Sequence, residues 1–197
     1  MCHAFLTDAK FYHLLTRIDE SIAEAVRAGG CECSGVLHSA RYPRKPRGLR
    51  SALDASYDSR LSFCCSRDGC RRRHTPASVR FLGRKVYLGV IVVLITALHH
   101  GLTETRRRQL IEELDVPLQT LWRWRRWWRE QFFASRCWQE LAGQLMPPIA
   151  THGLPAPLLE RLTGEALCER VVALLVLISP VTTATSSVRV SRHPQRM

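Results

Sequence analysis

Residues 118–133, LQTLWRWRRWWREQFF, follow the run RRRQLIEELDVP at 106–117, and how these two stretches fold decides the architecture. At about 100° per residue, Leu118, Leu121, Trp124, Trp128 and Phe132 fall on one side of a helix, and Gln119, Arg123 and Arg126 fall on the other. One face can pack and the other can meet an anion. Upstream, 104–114 reads as a second helix, with Thr103 as its N-cap and Leu110, Ile111 and Leu114 as its packing positions. Asp115-Val116-Pro117 interrupts the two: Asp tolerates a left-handed backbone and Pro pre-sets the next helical start. Helix, short turn and basic helix together outline a helix-turn-helix. The competing reading is an amphipathic helix pair whose basic face is merely solvated. Of the clustered tryptophans, Trp124 and Trp128 fit the core stripe, whereas Trp122 and Trp127 lie off it and suit a protein interface or packing against sugar-phosphate.

The chain has 197 residues, 46% of them apolar, enough to bury a core in one ordinary domain or two small ones. Its formal net charge is +12, and the location of that charge is more telling than its size. Segments 41–50, 67–85 and 106–129 carry 19 of the 29 Lys and Arg and only 4 of the 17 Asp and Glu, so they hold +15 and the remainder −3. Confinement of this kind favours a polyanionic partner, because each neutralised phosphate releases condensed counterions. Nucleic acid, with double-stranded DNA as the expected partner, is preferred over an anionic membrane, since none of the basic stretches pairs its arginines with an insertable apolar helix face except the one whose apolar side is assigned to the core. No basic n-region and apolar run opens the chain, and the runs at 86–98 and 166–178 are too short to span a bilayer, so a cytoplasmic, nucleoid-associated protein is expected. No small-molecule substrate is indicated.

Asp8 to Ala28 reads as a helix capped by Thr7, with Phe11, Leu14, Leu15, Ile18, Ile22 and Val26 on one stripe and Gly29-Gly30 as its stop. It suits packing or dimerisation. Pro43 and Pro46 then forbid regular helix in YPRKPRG and favour an extended arm carrying Arg44, Lys45 and Arg47. After a polar loop at 53–59, a strand, a turn through Asp68-Gly69 and a second strand are expected, with Arg71, Arg72 and Arg73 beside the turn. Cys31-x-Cys33 and Cys65-x4-Cys70 supply two local thiolate pairs about thirty residues apart, the arrangement in which two knuckles close around a structural zinc ion. The single residue between Cys31 and Cys33 demands an unusual turn. Cys64 competes with Cys65, and His38 and His74 are alternative ligands, although a solvated surface role suits His74 better. Cys2, Cys137 and Cys168 lack partners in sequence. A helix at 86–98 opens the DNA-binding unit, another covers 137–146, and a last one spans 157–178 before a frayed tail from Pro180.

The CxC pair, the YPRKPRG run, the turn CCSRDGCRRRHTP, the junction SVRFLGRKVYLG and the helix VPLQTLWRWRRWWRE resemble zinc-ribbon and helix-turn-helix DNA-binding proteins of bacterial mobile elements. The likeness is to the N-terminal region of insertion-sequence transposases and covers about residues 8–145. The resemblance implies zinc on the ribbon cysteines and a second helix entering the major groove, with Gln119, Arg123 and Arg126 at the groove-facing positions. It also exposes a departure. Such transposases carry three carboxylates on a separate catalytic domain, and the roughly fifty residues after 146 have no strand-borne acidic pair.

The expectation is therefore a mainly α protein with a small β zinc ribbon and a helix-turn-helix. It divides into an N-terminal helix (1–30), a zinc-ribbon-like module with basic arm (31–85), the helix-turn-helix (86–146), a linker and C-terminal helix (147–180) and a flexible tail (181–197). The expected function is non-enzymatic DNA binding, with structural Zn2+ on Cys31, Cys33, Cys65 and Cys70. Two alternatives stand beside it. One is an interaction module in which the excess tryptophans and the last apolar helix bind a partner or a second copy of the chain, with a homodimer forming through 8–28 or 157–178. The other is a metal-dependent nuclease using His38, His74 and the cysteines, against which no carboxylate sits at short spacing from those histidines to act as general base.

Overall fold

The computed structural model describes residues 4–47, 53–82, 87–98 and 116–183, together with positions 105, 108 and 112. Helix α1 (Ala9–Gly29) is capped by Asp8, whose carboxylate accepts from the Lys10 amide at 2.9 Å, and it stops at Gly30 with φ 66°. Thr7 instead closes a preceding 3-10 turn, Ala4–Thr7, by donating to the Ala4 carbonyl. The buried face of α1 is Phe11, Tyr12, Leu15, Thr16, Asp19 and Ala23, not the expected stripe: Leu14 is 47% exposed, and Ile18, Ile22 and Val26 are only partly covered. The helix is turned by a buried carboxylate, since three donors from 78–80 converge on Asp19.

Among the described residues five short strands follow: β1 (Leu37–Ser39), β2 (Tyr42–Pro43), β3 (Ser59–Arg60), β4 (Phe63–Cys65) and β5 (Arg73–His74). They form a three-stranded antiparallel sheet in the order β1-β4-β5 and a two-stranded β2-β3 ribbon. The expected polar loop at 53–59 contains a 3-10 turn, Ala55–Asp58, capped by Asp54, and its Tyr57 is a core residue that donates to the Tyr12 carbonyl at 2.9 Å.

The helical layer comprises α2 (Gly89–Leu98), α3 (Leu118–Arg126), α4 (Arg136–Ala142), α5 (Ala156–Arg161) and α6 (Leu167–Ile178). Val90 to Leu94 of α2 are buried in one core with Leu121, Trp124 and Trp128 from the α3 segment and with Val171, Leu174 and Leu175 of α6. Thr96 of α2 accepts from the Trp128 indole at 3.0 Å, so the one polar group of that tryptophan is satisfied inside the core. Among the described residues no helix is long and apolar enough to cross a membrane.

Four expectations change here. The helix begun at Leu118 does not run on as α-helix but passes into a π-helical turn, Trp127–Phe132. Leu118 is 54% exposed, because the buried arc is set by Thr120, Leu121 and Trp124 and Leu118 lies at its rim. The last helix is two, α5 and α6, and the chain beyond Pro180 starts ordered: Thr182 is buried and accepts from the Ser78 amide at 3.0 Å. Of the helix expected over 104–114, Thr105, Arg108 and Glu112 are helical and exposed. The remainder, with Thr103, Leu110, Ile111, Leu114 and Asp115, lies outside the described residues.

Candidate metal centre

The loop after α1 answers the demand made by the one-residue spacing. The Ser34 amide donates to the Cys31 carbonyl at 2.7 Å, and Ser34 takes φ 65°, a left-handed conformation that folds the chain back sharply. Gly35 follows because a Cβ at that position would run into Cys65 Sγ. The second knuckle leaves β4 at Cys65 and returns through Gly69, φ 85°, with the Cys70 amide donating to the Arg67 carbonyl at 3.1 Å. The result brings four sulfurs together. Cys31 and Cys70 Sγ are 3.7 Å apart, Cys33 and Cys65 Sγ 3.4 Å, and all four lie within 4.8 Å of one another. A tetrahedron with metal–sulfur bonds of ~2.3 Å has edges of about 3.8 Å, so this cluster could hold one metal ion.

Strand alternation separates the competing ligands. Leu37 pairs with Cys65 and Phe63 with His74, so these share the face that carries the sulfurs, while His38 pairs with Cys64 on the opposite face. Cys64 Sγ accordingly points to the Arg71 carbonyl at 3.4 Å. His74 is half-buried rather than a solvated surface group, with Nε2 3.3 Å from Cys31 Sγ. The Arg67 amide donates to Cys65 Sγ at 3.4 Å. Both are positioned to support a ligand from outside the coordination shell.

Cys31, Cys33 and Cys65 share their protons unequally. The hydrogen bond with Cys65, and then the Gly35 amide, pull Cys33 down to about 6. Cys65 moves the other way: the Arg67 amide favours its thiolate, but burial and the neighbouring sulfurs outweigh it and push the thiol up to about 12. Cys31 is raised similarly, with the Cys33 amide opposed by burial and by Cys33 and Cys70. Negative charge therefore collects on Cys33 before Cys31 and Cys65, and an incoming cation must displace protons from those two.

Around this centre the basic residues are held in different ways. Arg72 pairs with Glu32, Arg71 with Asp68 at 2.6 Å, and Arg67 donates to the Cys33 carbonyl, clamping one knuckle to the other. Arg44 and Arg73 both lie over the ring of Tyr42, at 5.4 and 5.8 Å, which joins the arm to the arginine triplet. Lys45 and Arg47 are exposed, and the Arg47 backbone forms an isolated parallel bridge with that of Tyr87, whose ring meets Trp124 at 5.0 Å. Gln119, Arg123 and Arg126 are exposed on α3, with Arg123 donating to Thr120 Oγ1 at 3.0 Å and Arg126 paired with Glu130 at 2.7 Å. An open cleft of about 430 Å³ runs along this face between Tyr87, Arg123 and Arg126. Tyr42, Glu32 and Gly35 were not marked by sequence; the small residue after a tight cysteine pair was the one available signal. Comparison with protein-family models, with curated proteins and with solved structures finds no match.

Proposed function

We propose that this chain is a non-catalytic DNA-binding protein, of the transposase-like kind its motifs resemble, with a structural zinc ion on Cys31, Cys33, Cys65 and Cys70. Four thiolates suit zinc, and a closed four-sulfur site leaves no position for a reacting water. The observation that carries the reading is that the basic stretches adjoin: Arg73 and Arg44 meet at Tyr42, and the Arg47 backbone bridges that of Tyr87, whose buried ring packs on Trp124 of the basic helix. In this reading the ribbon and arm contact phosphates, and α3, as second helix of a helix-turn-helix, presents Gln119, Arg123 and Arg126 to base edges.

The test is duplex binding by the zinc-loaded chain across a salt series. A steep fall of log K with log salt is expected, and a flat line or absence of binding overturns the reading. Arg123→Ala should narrow the difference between preferred and random sequence, whereas Arg73→Ala should weaken both alike. Elemental analysis returning no metal in purified protein would separately overturn the zinc assignment.

A further inference from the structure

Trp122 is the residue of α3 that neither the core nor the charge pattern accounts for. The residue is 55% exposed, while Trp124 and Trp128 supply buried aromatic contacts of the same helical segment. Positions 119, 122, 123 and 126 follow the i, i+3, i+4, i+7 spacing of a single helix face, so the indole stands between Gln119, Arg123 and Arg126. Arg125 lies with its guanidinium carbon 5.2 Å from the Trp122 ring centre, which restricts the indole from one side. Leu118, one turn earlier, is 54% exposed and extends the apolar strip. A large apolar ring held beside Leu118, on a face otherwise made of Gln, Arg and the acid Glu130, fits a partner that is mostly polar and anionic but carries a small apolar group.

The major groove of duplex DNA is such a partner. Its base edges present hydrogen-bonding groups at every pair, and its apolar feature is the 5-methyl of thymine. We propose that Trp122 is a specificity-determining residue that packs against the methyl group of one thymine when α3 lies in the groove. The inference rests on the DNA-binding reading and deepens it.

The experiment uses the full zinc-loaded chain and a duplex enriched from random sequence by repeated binding. Each thymine of that duplex is replaced in turn by deoxyuridine, which lacks only the methyl group. At one position the replacement is expected to weaken wild-type binding by about three- to fivefold, the worth of one buried methyl. Trp122→Ala should bind the thymine and uracil duplexes equally while keeping the wild-type salt slope. Trp122→Gln, with helix propensity close to that of the surrounding residues, serves as the second variant, and unchanged far-UV circular dichroism shows that both fold. Wild-type binding with no methyl effect at any thymine overturns this proposal and leaves DNA binding standing. A methyl effect that survives in both variants overturns it equally. No duplex binding at any salt overturns both, and a wild-type dimer that Trp122→Ala converts to monomer overturns the proposal by assigning the face to a second copy of the chain.

Discussion

Arg80 donates through Nε to Asp19 Oδ2 at 2.8 Å, with both side chains less than 5% exposed. The Asp19 carboxylate also accepts from Ser78 Oγ at 2.6 Å and the Val79 amide at 2.7 Å, and Arg80 donates onward to the Ser56 carbonyl at 2.8 Å. This network ties α1 to the segment leading into α2. Removing one partner leaves the other charge buried and unpaired, so Asp19→Ala should destabilise the fold by about 3–5 kcal/mol. Urea unfolding followed by tryptophan fluorescence checks it; a loss under about 1 kcal/mol would place the pair among those that contribute little.

That pair also shows where sequence reading stops. Arg80 belongs to a stretch whose charge points to a polyanion, yet it is structural, as is Arg60, buried against the Phe81 and Pro76 carbonyls. Nothing local distinguishes a buried arginine from a solvated one, because the donors and acceptors that satisfy it come from distant parts of the chain. The cysteine cluster was legible for the opposite reason: ligand pairs are local, and their spacing reflects the knuckle that holds them. Even the choice of Cys65 over Cys64 was available, since Phe63 must face inward and period-two alternation then takes Cys65 with it. The π-helical turn after Arg126 was not, because it follows from how Trp128 and Phe132 pack rather than from any residue that favours it.

Metal affinity should fall as pH falls. In the zinc-binding reading thiolates are the ligands, so every thiol still protonated in the metal-free chain must lose its proton on binding. Between about 6 and 12 the cluster has Cys33 ionised and Cys65 protonated. Below about 6 Cys33 is protonated as well, and affinity should drop more steeply with each pH unit. Titration of Co2+ into metal-free protein at several pH values, read by thiolate charge-transfer absorbance, measures this; affinity independent of pH would exclude thiolate ligation.

Chelation should act on the ribbon before the helical layer. Ala23, Cys31, Leu37, Phe63 and Cys65 form a cluster separate from the main core, too small to hold the knuckles without cross-links. With a chelator, protease cleavage within 31–43 and 61–74 is expected to accelerate while most far-UV helical signal persists. His74→Ala should lower metal affinity about 10- to 100-fold through loss of its contact to Cys31 Sγ, with Co2+ still showing a four-thiolate spectrum. A changed spectrum would instead make His74 a ligand.

Glu32 offers a prediction of opposite sign. It stands between the two knuckle cysteines and pairs with Arg72, so in the DNA-binding reading it competes with phosphate for that guanidinium. Both groups are largely exposed, so the pair adds little to stability and its loss should leave the melting temperature nearly unchanged. Glu32→Gln removes a negative charge from the basic surface and frees Arg72. Duplex affinity should rise several-fold at low salt, and the salt dependence should steepen by about one counterion. Binding that weakens in this variant would mean that Glu32 orients Arg72 toward the phosphate rather than competing for it. Arg72→Ala, made in both backgrounds, separates the two: under competition it costs more affinity beside Glu32→Gln, where the guanidinium is free to meet phosphate, and under orientation it costs more in the wild-type chain.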